Sequence, residues 1–196
     1  MMSSLLFATS NAGKIEELHG ALSPLGISCL SPGDLGVNQL VVEEDGETYY
    51  ENALKKAVAY HQATGESVLA DDSGLEVDAL KGAPGVRSAR LGGEEITWPQ
   101  RWAFLHDLLA VAPQPWTARF RCVLCLYQPG SVPYFFEGIC EGKILPEPLG
   151  RGGFGYDPVF HSTELNKGFG ESTLKEKQSV SHRGRAISFL TTFLSE

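Results

Sequence analysis

Short apolar runs alternate along the chain with longer stretches in which apolar residues recur every three or four positions, and that alternation predicts an α/β fold. Leu5-Leu6-Phe7-Ala8 reads as a buried strand, and a helical pattern starts at Ile15-Glu16-Glu17-Leu18. Ile27-Ser28-Cys29-Leu30 supplies a second strand. Gly46 to about Thr64 reads as a helix with Tyr50, Ala53, Leu54, Ala57, Val58 and His61 on one stripe and Gly65 as its stop. Ser67-Val68-Leu69-Ala70 is a short strand, with Asp71-Asp72-Ser73-Gly74 just beyond its end. Trp98, Trp102, Leu105, Leu108, Leu109 and Ala112 repeat at helical spacing up to Pro113, the two tryptophans reading as core anchors. Strands around 116–127 and 133–140 are joined by Gln128-Pro129-Gly130-Ser131, a hairpin-like signal that makes the sheet mixed rather than purely parallel. From Leu149 to Gly170 the chain is glycine-rich and weakly periodic. A last helix carries Ala186, Phe189, Leu190, Phe193 and Leu194 as the stripe that closes the core.

Bulk properties narrow the function classes. A chain of 196 residues with 42% hydrophobic content can bury one sizeable core, and with no repeat or linker, residues 1–196 are expected to form a single domain of closely joined lobes. A formal charge of −8 argues against binding nucleic acid or anionic membranes, which need a basic face. No apolar run reaches the length of a membrane span, and Met1 to Phe7 lacks the features of a signal peptide, so a cytoplasmic protein is expected. Cys122 and Cys125 have C-x-x-C spacing, but on a strand residues three apart face opposite ways, which predicts buried free thiols rather than a redox or zinc pair.

Four segments carry candidate chemistry. Thr9-Ser10-Asn11-Ala12-Gly13-Lys14 delivers a polar loop and a cation from a strand to a helix N-terminus, an arrangement suited to anions such as phosphate. It lacks the Walker A spacing, and on its own it reads first as an ordinary strand-to-helix turn with a solvated lysine. Adjacent Asp71 and Asp72 repel unless a cation compensates, and Mg²⁺ is the natural one, with Glu44 of Val41-Val42-Glu43-Glu44-Asp45 as second ligand. Alternatively, Asp72-Ser73-Gly74 forms a turn capped by its own aspartate. Leu149 to Pro158 sets Phe154 and Tyr156 among glycines, which suits close approach to a planar ligand. Lys175-Glu176-Lys177 precedes Ser179-Val180-Ser181-His182-Arg183-Gly184-Arg185, where Ser179 or Ser181 can cap the last helix and the cations oppose its dipole unless a ligand relieves them.

These blocks together resemble the inosine triphosphate pyrophosphatase family, and its bacterial branch fits best. The match comprises Thr9 to Lys14, Glu51-Asn52-Ala53-Leu54-Lys55-Lys56-Ala57, Leu69 to Leu75, Gly82-Ala83-Pro84-Gly85-Val86-Arg87-Ser88-Ala89-Arg90, Gly152 to Pro158, and Ser181 to Ala186, in one order. The resemblance implies a mixed α/β sheet flanked by helices, with two lobes around a central nucleotide-binding cleft. It implies Mg²⁺-dependent hydrolysis of noncanonical purine nucleoside triphosphates (ITP, dITP, XTP) to the monophosphate and pyrophosphate, by a homodimeric enzyme of the nucleotide pool. By family motif, Thr9, Ser10, Asn11, Ala12, Gly13 and Lys14 grip the triphosphate and Lys56 adds a phosphate contact. Asp72 is the general base and a metal ligand, Glu44 is the other metal ligand, and Ser73 contacts substrate. Phe154, Gly155, Tyr156, Asp157, Lys177, His182 and Arg183 form the base side. Donors such as His182 and Arg183 would pair with a 6-oxo purine and be left unpaired by adenine. Two positions depart from the family pattern: Ser10 replaces a glycine, which would strain a positive-φ backbone, and Gln178 replaces an asparagine. The same parts would serve a pyrophosphatase with pyrimidine preference or a non-catalytic nucleotide sensor, although Asp72, Glu44 and Lys14 together argue against the sensor.

Overall fold

The computed structural model describes residues 4–196. Its seven-stranded sheet has the order β2-β1-β3-β4-β5-β6-β7, with β1 (Ser4–Phe7), β2 (Ser28–Leu30), β3 (Val68–Val77), β4 (Trp116–Tyr127), β5 (Tyr134–Ile144), β6 (Phe160–Ser162) and β7 (Lys167–Gly168). The helices are α1 (Ala12–Leu22), α2 (Tyr49–Thr64), α3 (Trp98–Leu109), α4 (Leu174–Val180) and α5 (His182–Ser195). β1 runs parallel to β2 and β3, whereas β6 runs antiparallel to β5 and β7. The sheet is therefore mixed. No helix of the described residues is long and apolar enough to cross a membrane.

The chain divides into two compact units. The first comprises the chain up to Asp72 with Cys122–Gly138 and Arg183–Glu196, and the second comprises Ser73–Arg121 and Ile139–His182. Each has its own apolar core. In the first, Leu5, Phe7, Leu18, Leu22, Leu69, Cys122, Leu124, Leu126, Ala186 and Leu190 pack together. In the second, Leu75, Leu105, Leu109, Phe120, Ile144, Val159, Phe160 and Phe169 do so. Cys122 and Cys125 are free and buried, and burial pushes both thiols up to about 12. Cys122 shares its core with Leu124 and Leu126, the period-two neighbours of one strand face.

Several elements differ from the sequence expectation for identifiable reasons. The strand expected to stop at Ala70 continues to Val77, so Asp71 and Asp72 lie within β3 and not in a turn after it. Hydropathy cannot foresee this, because what tolerates the carboxylates is pairing with side chains from distant segments. On α2 the buried residues are Tyr49, Asn52, Ala53, Ala57 and Tyr60, while Tyr50 is exposed. The face is set by a fully buried asparagine, which an apolar count leaves out. Similarly, buried Arg183 fixes the inward face of α5, and Ile187 and Leu190 follow it at helical spacing while Phe189 is 59% exposed. On α3, Trp98 and Leu108 are partly exposed, while Leu105 and Leu109 are buried with Arg101. The basic block is split: Lys175 and Lys177 belong to α4, capped by Thr173, and Ser179 lies inside that helix. Ser181, in extended conformation, directly precedes α5. β6 and β7, only three and two residues long, were hidden in the glycine-rich stretch.

Candidate functional site

In the first unit, α1 begins where the polar loop ends. Asn11 caps it, its side chain accepting the Lys14 amide at 3.2 Å, while Asn11 N donates to Thr9 Oγ1 at 3.2 Å. Ala12 and Gly13 therefore occupy the first turn, where backbone amides lack intrahelical acceptors. Among the described non-glycine residues only Lys81 and Asn166 have positive φ, so Ser10 bears none of the strain its substitution for glycine suggested.

The Lys14 ammonium turns to Asp71, lying 3.0 Å from Oδ1 and 2.8 Å from Oδ2. Arg183, itself buried, donates to Asp71 Oδ2 at 3.2 Å and to Glu17 Oε2 at 3.0 Å. Glu17, Arg183, Asp71 and Lys14 thus form a chain of alternating charge, which is how buried ions are tolerated. Burial is the largest influence on Asp71 and would raise its pKa, but Lys14, Arg183 and Lys56 outweigh it and hold the carboxyl well below the usual range. Asp71 is a fixed anion.

Asp72, next along β3, faces the other way and meets a different environment. Its Oδ2 accepts Asn52 Nδ2 at 3.0 Å, and Asn52 Oδ1 in turn accepts the Gly46 amide at 2.8 Å, which fixes the orientation of that amide group. Burial, aided by the charges of Glu44 and Asp71, raises the Asp72 pKa to about 6 against the opposing Asn52 hydrogen bond and Lys56 charge. Lys56, one turn after Asn52 on α2, bridges the Asp71 carbonyl at 2.9 Å and Glu44 Oε1 at 2.6 Å. Burial alone would lower its pKa; the charges of Asp71, Glu44 and Asp72 reverse that and keep it protonated. Ala8, Thr9, Ser10, Leu40, Val42, Glu44, Lys56 and Tyr60 line one pocket, so the polar loop, the acidic segment and the lysine come together there.

Among the described residues no group of three or more His, Cys, Asp or Glu side chains is arranged to hold a metal ion. Glu44 and Asp72 nevertheless offer hard oxygens close enough for the one to raise the pKa of the other. A pair of carboxylates fits a small divalent cation that draws its remaining ligands from water and substrate phosphates, and does not fit a self-sufficient cage.

In the second unit, the glycine loop is tied down from within. Asp157 Oδ2 accepts the Phe154 amide and the Lys177 ammonium, each at 2.8 Å. Gly153 has φ +72°, and a Cβ there would lie 2.1 Å from Asp157 Oδ2, so only glycine lets the aspartate fold under the loop. Lys177 is 4% exposed and sits over the Phe154 ring, 4.4 Å from its centroid. Tyr156, in contrast, is buried, its hydroxyl donating to the Ser88 carbonyl at 2.9 Å. It anchors the loop, which leaves Phe154 as the ring suited to stacking. His182 is buried with its imidazole stacked on Phe120 at 4.7 Å. Ser73, the first residue of this unit, is partly buried in β3.

The sequence-expected residues thus separate into two sets. Thr9 to Lys14, Glu44, Lys56, Asp72 and Arg183 belong to the first unit, and Ser73, Phe154 to Asp157, Lys177 and His182 to the second. Arg183, expected on the base side, is engaged with Glu17 and Asp71. Glu17 and Asn52 were missed. Each carried a faint signal, being a polar residue one helical turn from a functional lysine: Glu17 follows Lys14 by three positions, and Asn52 precedes Lys56 by four.

A sequence model described as the Ham1 family matches residues 5–193. A dITP/XTP pyrophosphatase of Desulforamulus reducens is 50% identical over 185 residues, covering 93% of this chain and 91% of the relative. One of Geobacter sulfurreducens is 46% identical and covers 98% and 97%. The solved structure of a HAM1 protein from Coxiella burnetii superposes with a TM-score of 0.91 at 36% identity, covering 100% of this chain and 99% of that one.

Proposed function

The chain belongs to the Ham1 family, and from that premise we propose that it hydrolyses noncanonical purine nucleoside triphosphates such as ITP, dITP and XTP to the monophosphate and pyrophosphate. With this reading go Mg²⁺ as the cation, a homodimer in solution, a cytoplasmic setting and one functional domain across residues 1–196. The observation that carries it is the opposite treatment of two neighbouring carboxylates: Asp71 is locked between Lys14 and Arg183, while Asp72 is held by Asn52 beside Glu44.

Residues of the first unit serve the phosphates. The amides at the start of α1, the Lys14 ammonium and the Lys56 ammonium neutralise charge that develops as the bond between the α- and β-phosphates breaks. Asp72 takes a proton from the attacking water while the water oxygen bonds to phosphorus and pyrophosphate departs. With no cation bound, burial raises the Asp72 carboxyl to about 6, which makes it more basic than an ordinary aspartate. Glu44 and Asp72 would hold Mg²⁺, which when bound adds charge neutralisation on the phosphate oxygens. Asn52 keeps Asp72 in place. Residues of the second unit serve the base: Phe154 offers a stacking face, Lys177 and His182 offer donors suited to a 6-oxo group, and Asp157 holds Phe154 and Lys177 in register.

A panel of nucleoside triphosphates scored for pyrophosphate release tests the assignment. ITP and XTP are expected to exceed ATP in kcat/KM by about a hundredfold or more, because adenine leaves buried donors unpaired. Faster turnover of dTTP or UTP than of dITP would overturn the base assignment. Binding without turnover of any nucleotide would favour a sensor.

A further inference from the structure

Helix α3 meets the glycine loop through two tryptophans. Trp102, partly buried, donates its indole Nε1–H to the Gly155 carbonyl at 2.9 Å. Trp98, one turn earlier on the same helix face, stands edge-on to Tyr156 with centroids 5.3 Å apart and planes at 75°. Its ring would be 3.6 Å from a Cβ built on Gly155. Trp98 is itself fixed, since the Arg101 guanidinium lies 5.3 Å from its centroid while donating to the carbonyls of Leu91 and Gly93. The Tyr156 hydroxyl reaches the Ser88 carbonyl, and Ser88 Oγ accepts the Leu75 amide at 2.8 Å.

Gly155 has φ +65° and no side chain to fix its peptide plane. Asp157 and Lys177 hold the loop at Phe154 on one side of this glycine. The carbonyl that follows is held from a different element, by the Trp102 indole, and the Trp98 ring walls the glycine from the same helix.

We propose that Trp102 is a positioning residue for purine recognition, fixing the Gly155 carbonyl, and through it the Phe154 ring, in the orientation that accepts the base, with Trp98 as the wall that holds this arrangement. The inference rests on reading Phe154 to Asp157 with Lys177 as the base side. It predicts an effect on nucleotide affinity that is separate from the hydrolytic step.

The test compares Trp102→Phe and Lys177→Met with the wild-type enzyme, using ITP as substrate and inorganic tripolyphosphate as a base-free competitor. Trp102→Phe keeps the ring and removes the donor. Its KM for ITP should rise about five- to tenfold with kcat within about twofold, the loss expected for one hydrogen bond acting on binding. Inhibition by tripolyphosphate should be unchanged. A merely structural role would lower kcat through loss of active enzyme and leave KM alone, and that result would overturn the proposal. If Lys177→Met raises KM and Trp102→Phe does not, Trp102 has no positioning role although the base side is correctly placed. If Lys177→Met leaves KM unchanged, the base-side reading itself fails. A measurement on the unmodified enzyme covers poor folding of the variant. In ¹⁵N–¹H spectra the Trp102 indole signal should move on saturation with inosine monophosphate and stay still with tripolyphosphate; a signal unmoved by the nucleotide would contradict the proposal.

Discussion

Two aspartates joined by one peptide bond are given opposite electrostatic roles. Asp71 is the centre of a buried ion network, so its charge is needed for the fold. Asp72 is buried beside Glu44 with its pKa raised to about 6, so its charge is costly, as befits the base proposed for it. The same substitution should therefore act in opposite ways at the two positions. Asp71→Asn leaves Arg183 and Lys14 short of a counter-charge, and should destabilise the protein by about 3–5 kcal/mol. Asp72→Asn removes a disfavoured charge and keeps a polar group beside Asn52, so stability measured without divalent cations should be unchanged or higher. Urea unfolding of both variants checks this. Equal destabilisation by the two would refute the division of labour.

At the level of elements, α4 shows how local rules place Lys177, the lysine proposed for the base side. Thr173 and Glu176 form a reciprocal capping box, and Glu176 also receives Lys167 at 3.1 Å. This start sets the helix phase that brings Lys177 under the glycine loop. Hydrogen bonds from the Thr173 backbone, then Lys167 and the Thr173 hydroxyl, lower the Glu176 pKa to about 2 from the ordinary 4.5. The folded state thus favours the ionised form. Its contribution is complete above about pH 4.5 and is lost as pH falls toward 2. The melting-temperature gap between wild type and Glu176→Gln should accordingly be largest near pH 6 and shrink below about pH 4.5; a gap that widened in acid would contradict this. Capping signals of this kind are local and legible in sequence, as are the apolar strands. The continuation of β3 through Asp71 and Asp72 was not legible. It depends on Lys14, Asn52 and Arg183, which are remote in sequence; on α2 the expected Ala53 and Ala57 are buried but buried Asn52 shifts the face away from Tyr50, and on α5 the expected Ala186, Leu190, Phe193 and Leu194 join the core while Phe189 turns outward.

At the scale of the whole molecule, a chain with a formal charge of −8 holds four of its sixteen lysines and arginines, those of the candidate site, in buried or half-buried ion pairs. Lys14, Lys56 and Arg183 lie in the first unit and Lys177 in the second, each paired with a carboxylate. That distribution suits a small polyanion. Each unit keeps its own core, and the functional side chains are held by ion pairs and hydrogen bonds within their unit. The candidate residues could be named from motifs, but the contacts that hold them could not. Arg183 as an ion-network member, Tyr156 as an anchor and Trp102 as a clamp each depend on a partner that only the folded chain supplies. The central claim is that Asp72 drives cleavage that releases pyrophosphate, and ³¹P NMR of ITP turnover with and without Mg²⁺, for wild type and Asp72→Asn, tests it most directly. Wild type should release inosine monophosphate and pyrophosphate only when Mg²⁺ is present, and Asp72→Asn should be slower by about 10²–10⁴-fold while still binding ITP. Release of orthophosphate by wild type, or an undiminished rate in Asp72→Asn, would contradict it.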